Sequence, residues 1–216
     1  MVLLNFGNIL KMLHKVLMII IALIDKPLFA LWRLGGWDYD RQMPNIDKMM
    51  LVMAPHTTFR DYFHSIPVAI HERRRPSIMM KKELLQFPIM GWFFKLGGGF
   101  GVDRHHSQNT VEQVVDYIKQ QDRIVMIIAP EGTREYTTHW KTGFYHIAMA
   151  AEIPIVMVYL NYTNKRAGFS EVYYPTGDIQ KDYQWMSDFF EQNGSAKYPN
   201  QFGLPDIPTL EQSTKS

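Results

Sequence analysis

The chain has 216 residues, of which 46% are hydrophobic, 13% aromatic and 20% charged. This length and composition predict one folded domain with short additional segments, and they exclude a disordered, collagen-like or coiled-coil chain. The net charge of +2 is too small for a dedicated nucleic-acid binder, so no nucleic-acid partner is expected. The absence of cysteine excludes disulfides, thiolate metal ligands and any reaction that carries a group on a cysteine sulfur.

An apolar helix is predicted at the N-terminus. The longest uninterrupted apolar run in residues 1–24 covers nine residues, 16–24, whereas a helix needs about 20 to cross a bilayer. The polar side chains of this helix share one face: Asn5, Asn8, Lys11 and Lys15. We therefore expect it to lie in a membrane interface, with packing on the protein's own core as the alternative. The segment lacks the basic start and the small-residue cleavage site of a signal peptide, so it is expected to remain in the mature protein.

A break is predicted after this helix, at Asp25-Lys26-Pro27. Proline disfavours helical geometry in the residue before it and is well placed at the first position of a new helix. A second short helix is expected over residues 27–34, and Gly35-Gly36 ends it. Residues 1–34 are thus predicted to form an apolar two-helix arm that associates with membranes.

From residue 48 onward, short apolar runs alternate with longer amphipathic segments. The predicted strands are 49–53, 77–80, 124–129 and 155–160, and the predicted helices are 60–72, 84–96, 107–121 and 141–151. This alternation is typical of an α/β fold with a mostly parallel central sheet flanked by helices. Residues 35–194 are assigned to this domain. The tail, residues 195–216, is predicted to be an extended or loosely ordered coil because of its prolines and polar residues.

A histidine and an aspartate follow the first of these strands. His56 and Asp61 are five positions apart, which would place them about 140° apart on one ideal helix. We therefore expect His56 on the turn between strand and helix, with the Asp61 carboxylate reaching back from the first helical turn to one imidazole nitrogen. The other nitrogen would then be free to act as a base, although a structural hydrogen bond is the alternative interpretation.

Basic residues concentrate in the middle of the chain. Residues 60–104 carry eight basic and four acidic side chains, a net charge of +4, so an anionic partner is expected to bind there. Arg104 follows a glycine-rich segment, residues 97–101, and its planar guanidinium suits a phosphate, while Lys81 and Lys82 would add charge. The segment matches neither the dinucleotide nor the P-loop spacing, and a tight turn with a surface Asp103–Arg104 pair is the alternative.

A third polar cluster follows the strand predicted at 124–129. Glu131, Gly132, Thr133 and Arg134 come at the carboxyl end of that buried strand, which is where ligands bind in open α/β sheets. A surface turn rarely needs this combination of groups.

Taken in order, four segments resemble the sequence blocks of the glycerolipid acyltransferase family, whose best-known members are the 1-acylglycerol-3-phosphate acyltransferases. The segments are HTTFRD at 56–61, GGFGVDR at 98–104, APEGTR at 129–134 and the strand that begins at Pro154. The similarity extends over residues 50–165 and includes the intervening KKELLQFPIMGWFFKLGG. One departure is Gly101, which stands where the family often has a larger apolar residue and therefore predicts a wider or looser loop.

The resemblance implies a role for each matched residue. It makes His56 the general base and Asp61 the residue that orients it. Arg104 and Arg134, with Lys81 or Lys82, would contact the substrate phosphate. The residues implied beside the acceptor are Glu131, Gly132 and Thr133.

The implied reaction is direct attack of a lysophospholipid hydroxyl on an acyl thioester, with acyl-CoA or acyl carrier protein as donor. The absence of cysteine and of a G-x-S-x-G turn agrees with a mechanism that has no acyl-enzyme. No cofactor and no metal is expected. The partners are expected to be the acceptor, the donor and a membrane surface, and the protein is expected to be a monotopic protein on the cytoplasmic face.

Three other functions are compatible with parts of the sequence. A transacylase that exchanges acyl groups between phospholipids would use the same His56 and Asp61 without coenzyme A. A metal hydrolase would need ligands among His64, His71, His105 and His106, whose spacing matches no recognised metal site. A non-catalytic membrane-binding module would not require the full set of polar segments.

Overall fold

A seven-stranded sheet forms the centre of the protein. The computed structural model describes residues 6–103 and 107–208. The strands are β1 (Asp38–Arg41), β2 (Lys48–Met53), β3 (Pro76–Lys81), β4 (Gly99–Val102), β5 (Ile124–Ile128), β6 (Ile155–Asn161) and β7 (Arg166–Phe169). Their order is β1-β7-β6-β2-β5-β3-β4, and every adjacent pair is parallel except β6 and β7. The predicted mostly parallel α/β sheet is confirmed.

Helices cover both faces of this sheet. They are α1 (Phe6–Leu34), α2 (Arg60–His71), α3 (Pro88–Leu96), α4 (Ser107–Lys119), α5 (Gly143–Ala150) and α6 (Ile179–Asn193). Along β2, Met49 and Leu51 pack with residues of α1 and α2, whereas Met50 and Val52 face α4, α5 and α6. Because successive side chains of a strand point to opposite faces, β2 must be apolar throughout, which explains its uninterrupted apolar sequence.

The N-terminal segment corrects one prediction, because α1 is a single helix with Pro27 inside it. The predicted break at Asp25-Lys26-Pro27 is wrong. Proline removes one helical hydrogen bond, but contacts with α2 on both sides of Pro27 compensate for it. Asp25 lies 3.3 Å from His71, and Phe29 stacks on the same imidazole at 4.0 Å between ring centroids. No helix within the described residues has the length and apolar character needed to cross a membrane.

The glycine-rich segment also differs from its prediction as a loop, since it contains β4. A Cβ at Gly101 would lie 3.1 Å from the Lys82 Cα and 3.2 Å from a Leu85 methyl group, so a larger side chain would require these neighbours to move by a few tenths of an ångström. Gly101 thus tightens the contact between β4 and the 3-10 helix at residues 82–85, and the predicted wider loop is wrong.

The tail is better ordered than the sequence predicts. In its described part, up to residue 208, it contains a 3-10 turn at Pro199–Gln201 and binds the loop that follows β5. Thr138 and Asp206 exchange two hydrogen bonds, one through their side chains at 2.7 Å and one through their backbones at 2.8 Å. Residues 209–216 lie outside the described part of the chain.

Candidate active site

Polar side chains converge at the carboxyl edge of the sheet. His56 follows β2, Glu131 follows β5, and Tyr162 follows β6. Since β2 lies between β5 and β6 and all three are parallel, the residues that leave these strands meet at one edge. The chain leaves β2 through a cis peptide bond between Ala54 and Pro55 and reaches α2 after His56.

The structure brings His56 and Asp61 together as the sequence predicts. Asp61 lies in the first turn of α2, and its Oδ2 is 3.1 Å from the His56 Nδ1. This contact leaves the His56 Nε2 as the nitrogen available to a substrate. Asp61 is only 1% exposed, whereas His56 borders an open cleft. The catalytic roles of the two residues remain predictions.

Two further groups hold the Asp61 carboxylate. The backbone N–H of Thr58 donates to Oδ2 at 3.1 Å, and the Tyr162 hydroxyl donates to Oδ1 at 2.6 Å. Tyr162 is a residue that sequence reasoning missed. It lies 101 positions from Asp61, so no local pattern connects the two.

The Glu131 side chain is buried in the protein interior and is not part of the cleft lining. Its carboxylate accepts the His56 backbone N–H at 3.0 Å and 3.3 Å, and only 6% of the residue is exposed. Burial raises the pKa of Glu131 to about 7, and the charge of Asp61 adds to this increase, while the His56 N–H opposes it. Glu131 thus ties the end of β5 to the backbone of His56. Its implied place beside the acceptor stays a prediction.

The cleft beside His56 has a volume of about 440 Å³. Its lining includes Gly132, Thr133 and Arg134, three of the residues implied in substrate binding, together with Ala129 and Glu135. Gly132 has a φ of +64°, and a Cβ there would be 2.8 Å from Lys141, so the turn requires glycine. Arg134 is exposed and can reach a phosphate in the cleft.

Gln201 connects the loops on the two sides of the cleft. With its amide nitrogen turned toward them, it lies 3.2 Å from the backbone oxygens of both Thr57 and Arg134. The C-terminal segment therefore helps to fix the distance between His56 and Arg134.

The predicted lysines lie at the same edge of the sheet. Lys81 ends β3 and Lys82 begins the 3-10 helix, and both are exposed. Lys81 is paired in register with Val102 of β4. Arg104 lies outside the described residues, so the structure does not report on its predicted contact with phosphate.

The histidines weighed as metal ligands have other contacts. His64 accepts the Trp32 Nε1–H at 3.3 Å, and His71 faces Asp25. His105 and His106 lie outside the described residues. Among the residues that the structure covers, no three histidine or acidic side chains come together as a metal site would need.

Comparison with known proteins gives the following relatives. Several proteins named 1-acyl-sn-glycerol-3-phosphate acyltransferase match this chain, among them those from Streptococcus pneumoniae, Escherichia coli and Saccharomyces cerevisiae. The Streptococcus pneumoniae protein is 30% identical over 135 residues, which are 59% of this chain and 48% of that protein. The Escherichia coli protein is 32% identical over 99 residues, 43% of this chain and 40% of that protein. The Saccharomyces cerevisiae protein is 32% identical over 96 residues, 41% of this chain and 31% of that protein. The matched segments thus span less than half the length of these relatives.

A solved structure has the same fold. It is the 1-acyl-sn-glycerophosphate (LPA) acyltransferase PlsC from Thermotoga maritima, with a TM-score of 0.54 and 15% sequence identity, covering 80% of this chain and 77% of that one. The sequence model of the Acyltransferase family matches residues 39–161, which are more than half of the chain and include His56, Asp61 and Arg134. The chain therefore belongs to the glycerolipid acyltransferase family that its four sequence blocks predicted.

Proposed function

We propose that the protein transfers a fatty acyl group from an acyl thioester to the free hydroxyl of 1-acylglycerol-3-phosphate, forming phosphatidate. The observation that carries this proposal is the His56–Asp61 pair at the edge of a cleft that also presents Arg134. The names of the relatives from Streptococcus pneumoniae and Escherichia coli support the choice of acceptor. The donor is the thioester of coenzyme A or of acyl carrier protein.

In this reaction His56 acts as general base. Its Nε2 removes the proton of the acceptor hydroxyl while the oxygen attacks the thioester carbonyl. The tetrahedral intermediate collapses with cleavage of the C–S bond, and the imidazolium returns the proton to the thiolate. Asp61 faces the other ring nitrogen, where it fixes the tautomer and stabilises the imidazolium. General-base assistance of this kind contributes about 10² to 10⁴ in rate.

Arg134 binds the acceptor phosphate in this proposal. Its guanidinium can present two parallel N–H donors to phosphate oxygens, and it lies on the cleft lining with His56. Lys81 and Lys82 add positive charge at the same edge, and Arg104 stays a predicted phosphate contact. Phosphate binding there would hold the glycerol hydroxyl near Nε2.

Thiol release provides the test of the activity. The chain is incubated with a panel of acyl-CoAs and 1-acylglycerol-3-phosphate, in parallel with His56→Ala and with His139→Ala, which removes an exposed histidine outside the cleft lining. We expect release that requires the acceptor, that is lost in His56→Ala and that persists in His139→Ala. Parental turnover in His56→Ala would remove His56 from the mechanism.

Changing the acyl donor, and measuring vesicle binding beside transfer, separates the competing functions. An absence of thiol release with acyl-CoA, but transfer from acyl carrier protein, identifies the donor. Transfer from a labelled phospholipid to a lysophospholipid without any thioester identifies a transacylase. A protein that binds lipid vesicles without any transfer is a membrane-binding module.

We also propose that the face formed by α1 and α2 docks on the surface of a bilayer. One side of α1 packs on α2 through Asp25, Phe29 and Trp32. The opposite side is apolar and exposed at helical spacing, at Met12, Val16, Ile19, Leu23 and Leu34. A helix with one apolar face that is too short of apolar residues to span the membrane lies in the interface.

The neighbouring helix α2 also has exposed apolar side chains at and near its start. Phe63 and Ile66 on α2 are exposed, as is Phe59 directly before its first residue, and the rings of Phe59 and Phe63 lie 5.7 Å apart between centroids. Phe59 is three residues from His56, so docking through this face would bring the cleft close to an acceptor dissolved in the bilayer. Attachment to the cytoplasmic face stays a prediction.

Vesicle flotation tests the docking surface. The double variant Ile19→Gln, Leu23→Gln makes two of the exposed positions on α1 polar without touching the packed side of the helix. Its control is Met149→Gln, an exposed apolar residue of α5 on the other face of the sheet. With vesicles of phosphatidylcholine and phosphatidylglycerol, we expect the double variant to float less than the parent and the control. Equal flotation of all three proteins contradicts docking through α1.

A further inference from the structure

Tyr162 places a hydroxyl on the side of Asp61 that faces away from His56. The two carboxylate oxygens have different partners: Oδ2 faces the His56 Nδ1 and accepts the Thr58 N–H, while Oδ1 accepts the Tyr162 hydroxyl at 2.6 Å. A carboxylate with only one oxygen held can rotate about its Cβ–Cγ bond, whereas one held at both oxygens cannot. The hydroxyl therefore restrains the orientation in which Asp61 meets the imidazole.

The Tyr162 ring is itself held in a cluster of aromatic side chains. It meets Trp37 edge-on at 5.2 Å and His64 edge-on at 5.4 Å between ring centroids. Trp37 stacks on His64 at 4.1 Å and on Trp32 at 5.7 Å. Aromatic pairs at these separations and angles are favourable beyond the area that they bury. The backbone N–H of Tyr162 also donates to the Ser195 carbonyl at 3.0 Å, so both ends of the residue are fixed.

The protonation states within this cluster suit these contacts. Burial and the hydrogen bond to Asp61 raise the pKa of Tyr162, so the phenol keeps its proton and remains a donor. Burial and the charge of Arg60 lower the pKa of His64, which favours a neutral ring whose Nδ1 can accept the Trp32 Nε1–H at 3.3 Å. Trp32 belongs to the last turns of α1. The cluster thus connects the C-terminal end of α1 to the carboxylate of Asp61.

We propose that Tyr162 is a positioning residue for the His56–Asp61 pair, and that the cluster of Trp32, Trp37 and His64 holds it in place. This inference rests on the proposed role of His56 as base. Tyr162 acts through Asp61, so it should influence the chemical step and leave the binding of donor and acceptor nearly unchanged. It would also make the catalytic pair dependent on how the end of α1 packs.

The test compares the hydroxyls of two tyrosines: Tyr159, which lies in β6, and Tyr162, which directly follows β6. Tyr162→Phe removes the donor to Asp61 and keeps the ring. Tyr159→Phe is the matched control: its hydroxyl donates at the same 2.6 Å to another carboxylate, that of Asp40 in β1, and β7 and β6 lie between β1 and the strand that leads to His56. Because this hydrogen bond is made to a charged carboxylate, we expect kcat to fall about tenfold or more in Tyr162→Phe, with KM within about twofold of the parent. Tyr159→Phe should keep the parental kcat.

A second readout does not require turnover. Nitrogen NMR of isotope-labelled histidine, with the His56 signals assigned from the spectrum of His56→Ala, reports which ring nitrogen carries the proton. We expect a single Nδ1-protonated tautomer in the parent and in Tyr159→Phe, and a mixture in Tyr162→Phe. If the tautomer responds in this way but no protein releases thiol, the positioning role holds and the proposed reaction fails. A Tyr162→Phe protein with an unchanged tautomer and unchanged kcat overturns the inference.

The cluster has its own test in a double-mutant cycle. Trp37→Leu should lower kcat in the parent, because Tyr162 loses one of the rings that hold it. The same substitution should have little further effect on kcat in Tyr162→Phe, where the hydroxyl is already absent. Effects on kcat that simply add in the double variant overturn the role of the cluster.

Discussion

Replacing Glu131 by glutamine tests how the buried carboxyl beside His56 titrates. In the unfolded chain the carboxyl has its ordinary pKa of 4.5, whereas burial raises the pKa of Glu131 to about 7 in the folded protein. Between these two values the folded state binds more protons than the unfolded state, so the free energy of unfolding falls as the pH rises. A difference of one in pKa corresponds to about 1.4 kcal/mol, so the whole fall between pH 4.5 and pH 8 is about 3 kcal/mol.

Glutamine keeps an oxygen that can accept the His56 N–H, but it does not titrate. We therefore expect Glu131→Gln to gain stability relative to the parent as the pH rises, with a relative gain of about 3 kcal/mol between pH 4.5 and pH 8. Urea unfolding of both proteins at a series of pH values measures this difference. Glu191→Gln, an exposed residue of α6, is the control and should follow the parent at every pH. A difference between Glu131→Gln and the parent that does not change with pH would refute the reasoning.

Three further substitutions follow from contacts in the structure. Arg134→Ala should raise KM for 1-acylglycerol-3-phosphate more than it lowers kcat, whereas Arg123→Ala, a surface arginine paired with Asp47, should leave steady-state kinetics unchanged. Gly98→Ala should lower the free energy of unfolding by more than about 2 kcal/mol in denaturant titrations, because its φ is +93° and a Cβ would overlap a backbone oxygen. Gly143→Ala, whose new Cβ would meet no atom within 4 Å, should be neutral or slightly stabilising in the same titrations. Asp182→Asn should lower the free energy of unfolding by about 2–4 kcal/mol, since this buried carboxylate accepts hydrogen bonds from two tyrosines and from Thr176 at two positions, and an amide cannot accept all of them.

The central part of the fold could be predicted because burial on both faces leaves a strong pattern. Strands β2, β5 and β6 are apolar runs, and the helices between them along the chain have amphipathic spacing. The edge strand β1, with the sequence DYDR, and the strand β7, with RAGF, are short and carry no such pattern, so they were missed. Helix α6 was also missed, although Asp178 caps it and Ile179, Tyr183, Met186 and Phe190 recur at helical spacing on its buried side.

The candidate site was predictable where its residues are close in sequence. His56 and Asp61 meet across one strand-to-helix turn, so their spacing alone indicates a contact. Tyr162 and Gln201 reach the site from distant parts of the chain, and their places depend on strand order and on the path of the tail. Glu131 was found, but its orientation toward the His56 backbone depends on β2 and β5 being neighbours, which the sequence does not reveal.

The hydrogen bonds between the tail and the cleft loops also affect the order in which the protein matures during translation. Thr138 and Asp206 are 68 residues apart, so the loop after β5 leaves the ribosome well before the tail segment that forms hydrogen bonds with it. Gln201, which bridges the loops of Thr57 and Arg134, is synthesised similarly late. Helix α1 precedes both of these segments in the sequence, so it leaves the ribosome before them. If α1 docks on a bilayer as proposed, a nascent chain can reach the membrane before these hydrogen bonds form, and the cleft beside His56 is then completed at the membrane surface.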